Sequence, residues 1–406
     1  MPALGLGVIS TFCPRADGIA NYTRDLLEAV RAAAPDLTIM GAAITERGAR
    51  HTYPADVRWR IAQDIPGSYA AAARALSRAG VAAIAVQHEF GLYGEWRPAD
   101  EALVDMTPAL LAAAERPLIT TLHTVLPDPI TEVRHALRRL CAGSAAVVVM
   151  ARAAARLLAE VYGVDPARVR VIPHGVPVFA CREEAVARAE LGLSGRTVLS
   201  TFGLIHRNKG IEVAIRALPD IVARHPEVVY LVIGQTHPTD QRREGESYRD
   251  ELDALVRDLG VAGNVRFVNR YLDQAEIPRY LEATDIYLTP YHDRTQISSG
   301  TLAYALGCGR AIVSTPYAYA VEALAEGRGL LAAFGDPTSI ARCVLRYLDK
   351  PTFARAIRAR ALAYGQEMIW PRAGERYARL IEEVAGGTGG GLVADLSAAG
   401  RPPRGS

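Results

Sequence analysis

Short apolar runs rich in β-branched residues alternate with longer segments of helical periodicity along most of this chain. The runs predict strands at Leu4–Ser10, Leu37–Ile44, Val81–Val86, Pro117–Leu122, Ala145–Met150 and Val169–Ile172. A second series follows at Thr197–Phe202, Val228–Ile233, Val265–Val268, Ile286–Thr289 and Ala311–Ser314. Between them, helical spacing predicts Asn21–Ala34, Ser68–Ala79, Ile211–Arg224 and Tyr248–Leu259. Continuous apolar strands alternating with helices imply parallel sheets covered on both faces, an α/β class with two doubly wound, Rossmann-like units.

The boundary between the units is expected at Ile172–Val178, where two prolines and a glycine follow a strand. An ordinary strand-to-helix loop is the competing reading of that stretch. The expected domains are residues 1–174 and 175–365. Thr352–Val384 is helical in pattern but interrupted at Trp370-Pro371. A last helix over 366–385 that leaves the second domain and crosses back to the first fits this break. The Gly- and Pro-rich end, 386–406, is expected to be disordered. No repeat of solenoid period is present.

Composition narrows the function classes. Half of the 406 residues are apolar, enough for a large core. Forty-six basic against 44 acidic residues leave a formal charge of +2, which argues against a nucleic-acid binder. No apolar run reaches the ~18 residues of a spanning helix. The first residues lack a basic leader and read as a strand, so a cytoplasmic location is expected. Five scattered cysteines, Cys13, Cys141, Cys181, Cys308 and Cys343, suit reduced thiols. Only Lys209 and Lys350 are lysine; every other base is arginine.

In open parallel sheets, ligands bind beyond the carboxyl ends of the strands, so those loops carry the candidate chemistry. The first runs from Thr11 to Thr23 and holds Gly18 at a helix start, but it lacks the third glycine of a dinucleotide fingerprint. His88, with Glu89 beside it, and His123 follow neighbouring strands. Each histidine also suits an ordinary loop contact. The loop Phe202–Gly210 offers Gly203 for a turn, His206 and Arg207 for charge, and Lys209 at a helix start. A compact ammonium fits between phosphate oxygens, and lysine in an arginine-writing chain suggests that its shape matters. Gln296, Ser298, Ser299, Gly300, Thr301 and Tyr304 surround another helix start. Small residues there expose N–H groups to an anion, although Ser298 and Ser299 equally suit helix capping.

Taken in order, several motifs resemble the retaining glycosyltransferases of family 4, whose architecture is GT-B. They are Asp17–Asp25 (DGIANYTRD), Gln87–Gly91 (QHEFG), Val171–Gly175 (VIPHG), Gly203 with Lys209-Gly210, Asp285–Pro290 (DIYLTP) and Leu306–Thr315 (LGCGRAIVST). The resemblance runs to about residue 385. It implies that Gly18 faces the donor diphosphate, that His123 lies near the reacting sugar, and that Lys209 binds the donor phosphates. It also implies that Gly234 lines the nucleotide pocket and that Glu322 is structural. Three positions depart from the family pattern. Leu204 stands where an arginine usually follows the loop glycine, with Arg207 or His206 as substitutes. Gln296 and Tyr304 replace the family's paired glutamates, which touch the donor sugar and the ribose.

The resemblance implies a hexosyltransferase that uses a nucleotide-diphosphate sugar, UDP- or GDP-linked, without cofactor or metal. Basic residues replace the cation, and Asp128 and the other cleft carboxylates are isolated. The acceptor, a sugar, glycan or lipid-linked unit, is expected beside His88, Glu89 and His123. Peripheral membrane contact stays open, because Arg134, Arg138 and Arg139 lie on one predicted helix and Arg152 and Arg156 on the next. Two rival readings are a catalytically silent nucleotide-sugar binder and a GT-B enzyme of another kind, such as an epimerase.

Overall fold

The computed structural model describes residues 4–97, 102–180, 183–273 and 275–387. The first sheet is built from β1 (Gly5–Ser10), β2 (Thr38–Thr45), β3 (Val57–Ala62) and β4 (Ala83–His88). A hairpin of β5 (Gly94–Arg97) and β6 (Ala102–Asp105) stands apart from it. The chain then returns with β7 (Leu118–Leu122), β8 (Ala146–Val149) and β9 (Val169–Val171). The order across the sheet is β3-β2-β1-β4-β7-β8-β9, parallel throughout. The second sheet takes β10 (Thr197–Phe202), β11 (Val228–Ile233), β12 (Val265–Val268), β13 (Ile286–Thr289), β14 (Ala311–Ser314) and β15 (Leu330–Leu331). Its order is β12-β11-β10-β13-β14-β15, again parallel.

Burial explains why the pattern was readable. Every residue of β1, β4, β7, β8, β11, β13 and β14 is buried, as expected for strands covered by helices on both faces. Strand β3, by contrast, lies on the sheet edge and alternates between exposed and partly buried positions. It has no continuous apolar run, and the periodicity reading missed it together with β5, β6 and β15.

The helix Gly18–Ala33 begins at Asp17, whose carboxylate accepts from Ala20 N at 2.6 Å, and buries Tyr22, Leu26, Leu27 and Val30. The last helix, Trp370–Ala385, packs along it. The chain crosses between the two sheets where Val176 N donates to Met368 O and Trp370 N to Val176 O, both at 2.9 Å. Trp370-Pro371 starts this helix rather than bending one, because proline is tolerated in the first turn. Tyr377 ties it to β7 through Thr121. Residues beyond 387, most of the expected tail, and Cys181 lie outside the described residues. Among the described residues the other four cysteines form no disulfide. In the basic stretch, Arg134 is held by the Val161 carbonyl and Arg139 by Asp105.

Gly374 marks the closest approach of the two helices: a Cβ there would lie 2.4 Å from Ala29 O. Gly374→Ala therefore forces them apart, at a cost of about 1–3 kcal/mol. Urea unfolding should show a lowered midpoint, and an unchanged midpoint would contradict this packing.

Candidate functional site

The carboxyl ends of both sheets open onto one cleft of about 650 Å³. The first-domain wall contributes Gly18, Asn21, Tyr22, Asp25, Glu89 and His123. The second contributes Gly203, His206, Lys209, Gly234, Gln296, Ser298, Gly300, Thr301 and Tyr304. Twelve of the residues singled out from sequence thus meet in one place, although they come from the connections after six separate strands.

Lys209 is the centre of the second wall. Its Nζ donates to Tyr291 Oη at 2.6 Å and sits 4.4 Å from that ring's centroid. Tyr291 Oη also meets Thr301 Oγ1 at 2.9 Å. Burial pushes the Tyr291 hydroxyl up, but the ammonium more than offsets it and holds the phenol below its usual value of 10. Among the described residues no carboxylate pairs with Lys209. The backbone is close here: Gly234 has φ +140°, and a Cβ on it would come 1.8 Å from Gly203 O. A Cβ on Gly203 would stand 3.3 Å from both Lys209 Nζ and Thr301 Cγ2, so loop, lysine and helix start share one small patch. That helix, Gly300–Gly307, is capped by Ser299, whose hydroxyl accepts from Leu302 N. Its first N–H groups lack intrahelical partners, and Gly300 and Thr301 line the same cleft as the ammonium.

On the opposite wall His123 Nε2–H donates to Gln87 Oε1 at 2.9 Å, which leaves Nδ1 with a lone pair. Its ring stands edge-on to Tyr22 at 4.9 Å. Burial, with the neighbouring imidazoles His174 and His88, lowers its pKa to about 3. His174 donates from Nδ1 to Gly175 O at 2.8 Å and is lowered to about 4 by burial. It lies so near Gly300 that a Cβ there would come 2.8 Å from its Nε2. Glu89 accepts from Thr124 Oγ1 at 2.6 Å and Phe90 N at 3.0 Å, and burial raises its pKa. Ser298 Oγ donates to His123 O at 3.0 Å, and Gln296 Nε2 to Ser298 O at 2.9 Å. A continuous polar chain therefore crosses the cleft from Glu89 to Gln296.

Four expectations need correction. Arg207 does not line the cleft. It is about half exposed, and Glu251, at 2.6 and 2.7 Å, with Glu244 at 3.4 Å, turns it outward. His206 lines the cleft but carries no charge there, because burial, followed by Lys209, lowers it to about 3. His88 is core: it stacks on Tyr93 at 5.3 Å, and its Nδ1 finds no partner among the described residues. Ser299 turns its hydroxyl to the cap and away from the cleft. Tyr304 does line the cleft, and its hydroxyl reaches across to Asp25 Oδ2 at 3.3 Å. Glu322 bridges the domains, accepting from Arg152 N at 2.9 Å and Ala153 N at 2.7 Å at the start of the helix Arg152–Glu160. Sequence reasoning missed Tyr291, Asp25 and His174 as site residues. His174 lies inside a motif already noted, whereas Tyr291 carries no local signal beyond following a strand.

Comparison with known proteins agrees with this geometry. Residues 196–350 match the family model described as glycosyl transferases group 1, and residues 16–178 match glycosyltransferase family 4. D-inositol 3-phosphate glycosyltransferase 2 of Catenulispora acidiphila is 31% identical over 240 residues, 56% of this chain and 54% of that protein. The chain thus spans about half the length of that relative. The phosphatidyl-myo-inositol mannosyltransferase of Mycolicibacterium smegmatis is 28% identical over 282 residues, 68% of this chain and 67% of that one. Among solved structures, sucrose-phosphate synthase from Thermosynechococcus elongatus superposes with a TM-score of 0.75 at 19% identity, covering 95% of this chain and all of that one. HepE of Anabaena, in complex with UDP and glucose, gives 0.70 at 16% identity, covering 94% and 100%. At these identities the structures speak to the fold alone.

Burial holds His88 and His174 at about 4 and His123 and His206 at about 3, against 6.5 when unfolded. The native pKa values are depressed, so the stability is fully present above pH 6.5 and is lost as pH falls toward 4. Thermal midpoints should drop between pH 6.5 and pH 5, with protons taken up on unfolding. A flat or rising midpoint across that window would contradict the burial of these rings.

Proposed function

We propose that this chain, whose two halves match the models for glycosyltransferase family 4 and for glycosyl transferases group 1 and whose fold is GT-B, moves a hexosyl group from a nucleotide-diphosphate sugar to an acceptor hydroxyl, retaining anomeric configuration. The observation that carries this is the Lys209 ammonium, held in the cleft beside a helix start with no carboxylate partner among the described residues. A buried cation with only a phenol for company gains most from an anionic ligand. The donor diphosphate fits that description. Its phosphates would lie against Lys209, Gly203 and the N–H groups of Gly300 and Thr301, with Gly18 of the first domain opposite. Charge developing on the leaving phosphate would be stabilised there. The nucleoside, UDP- or GDP-linked, would extend past Gly234.

Gln296 would hold sugar hydroxyls. Its amide nitrogen is committed to Ser298 O, and its carbonyl oxygen remains an acceptor. The neutral His123 would orient the reacting sugar through Nδ1. No metal ion is required in this scheme. Among the described residues no three His, Cys, Asp or Glu side chains gather as a metal site.

Two substitutions test the assignment, with transfer measured in EDTA. Lys209→Ala should lose about 2–4 kcal/mol of transition-state stabilisation, roughly a hundredfold in kcat/KM. Lys209→Arg should also be defective, because the guanidinium fork is larger. Arg207→Ala, outside the cleft, should stay within about threefold of wild type. Equal effects at the two positions would remove Lys209 from the phosphate site, and wild-type activity that appears only with magnesium would contradict the metal-free scheme.

The second test concerns the sugar. Gln296→Glu should change discrimination between two donor sugars in competition kinetics while leaving calorimetric affinity for the free nucleotide diphosphate nearly unaltered. Wild-type sugar ratios in both Gln296→Glu and Gln296→Ala would make the residue a mere support for Ser298.

A further inference from the structure

The charge around the cleft is one-sided. Lys209 is the only lysine or arginine among its lining residues, and it belongs to the second wall. The first wall carries the carboxylates of Asp25 and Glu89, and Asp293 adds another on the side of Lys209. The lining imidazoles do not balance them. His123, His174 and His206 are neutral near pH 7, and burial lowers His237 as well. The arginines on the first helix and its loop are already engaged and do not line the cleft. Arg24 places Nε and Nη2 2.9 and 2.8 Å from Asp25 Oδ1. Arg15 pairs with Asp17 at 2.9 Å and with Glu46 at 3.3 Å.

Glu89 is the fixed point of this wall. Its two oxygens accept from Thr124 and Phe90, which holds the carboxylate in one orientation with lone pairs to spare. A carboxylate so held accepts hydrogen bonds from hydroxyl or ammonium groups and repels a phosphate. If Lys209 is taken by the donor diphosphate, no lysine or arginine among the described lining residues remains for a second phosphorylated ligand.

We propose that the acceptor unit entering this cleft is a polyol without phosphate, a sugar or cyclitol ring whose hydroxyl or amino groups donate to Glu89 and Asp25. This rests on the transferase reading given above and refines its acceptor. It separates this chain from relatives whose names specify an inositol 3-phosphate acceptor, since such a phosphate would here face Glu89, which has no basic partner among the described residues, and Asp25, whose charge is shared with Arg24.

The test uses the full chain with UDP-glucose and GDP-mannose as donor probes. Acceptor probes are offered in matched pairs: myo-inositol against inositol 3-phosphate, and glucosamine against glucosamine 6-phosphate. The expected result is at least a tenfold higher kcat/KM for the unphosphorylated member of each pair that is used. Glu89→Gln should shrink that ratio, because one negative charge is gone; a merely structural role would lower both members equally. A phosphorylated member used as well as its parent overturns the proposal. So does turnover of none of the four by protein that binds and hydrolyses a donor. Failure of the transferase reading is read separately, as absence of UDP and GDP binding in calorimetry.

Discussion

A single ammonium group sets the terms for this cleft. Lys209 is buried, and its partners among the described residues are the hydroxyl and ring face of Tyr291. Removing an ammonium from water is costly, and a phenol offsets only part of that cost. The surroundings keep the charge available. Gly203 and Gly234 bring bare backbone to it, Thr301 holds Tyr291 in place, and the helix after Ser299 points its positive end the same way. Two carboxylates near this loop, Glu244 and Glu251, are bound to Arg207 on the outer side.

The site also depends on the relation between two sheets that share no strand. That relation is fixed by a small set of polar contacts and one crossing helix. Ser298 reaches the His123 carbonyl, Tyr304 reaches Asp25, Asn21 meets Tyr271, and Glu322 caps a first-domain helix. Several of these residues line the cleft themselves, so the groups that would touch the substrates also hold the walls together. Substitutions at Tyr304 or Ser298 would therefore act on domain geometry as well as on binding.

Much of the fold was legible from sequence because its strands are buried on both faces. β10 to β14 fall on the bounds that apolar runs predicted; only β12, with the exposed Arg266, carries a charge within them. The edge strand β3 and the hairpin of β5 and β6 escaped notice because half-exposed strands carry arginines and alternate. The site was legible as a set of loops, because carboxyl-end loops of parallel strands converge. Side-chain direction was not. Arg207 and Lys209 lie two residues apart on one short 3-10 turn, yet face opposite ways because the partners of Arg207 lie 37 and 44 residues further along the chain. Likewise the spacing that brings His123 into the cleft sends His88, on the neighbouring strand, into the core against Tyr93.

The central claim is that Lys209 and the helix start beside it form the seat of a donor diphosphate. A crystal structure of the full chain with UDP or GDP bound tests this most directly. The account predicts the terminal phosphate within hydrogen-bond distance of Lys209 Nζ and of the Gly300 or Thr301 N–H, against Gly203. A diphosphate bound elsewhere, with the Lys209 ammonium still resting on Tyr291 alone, would contradict it.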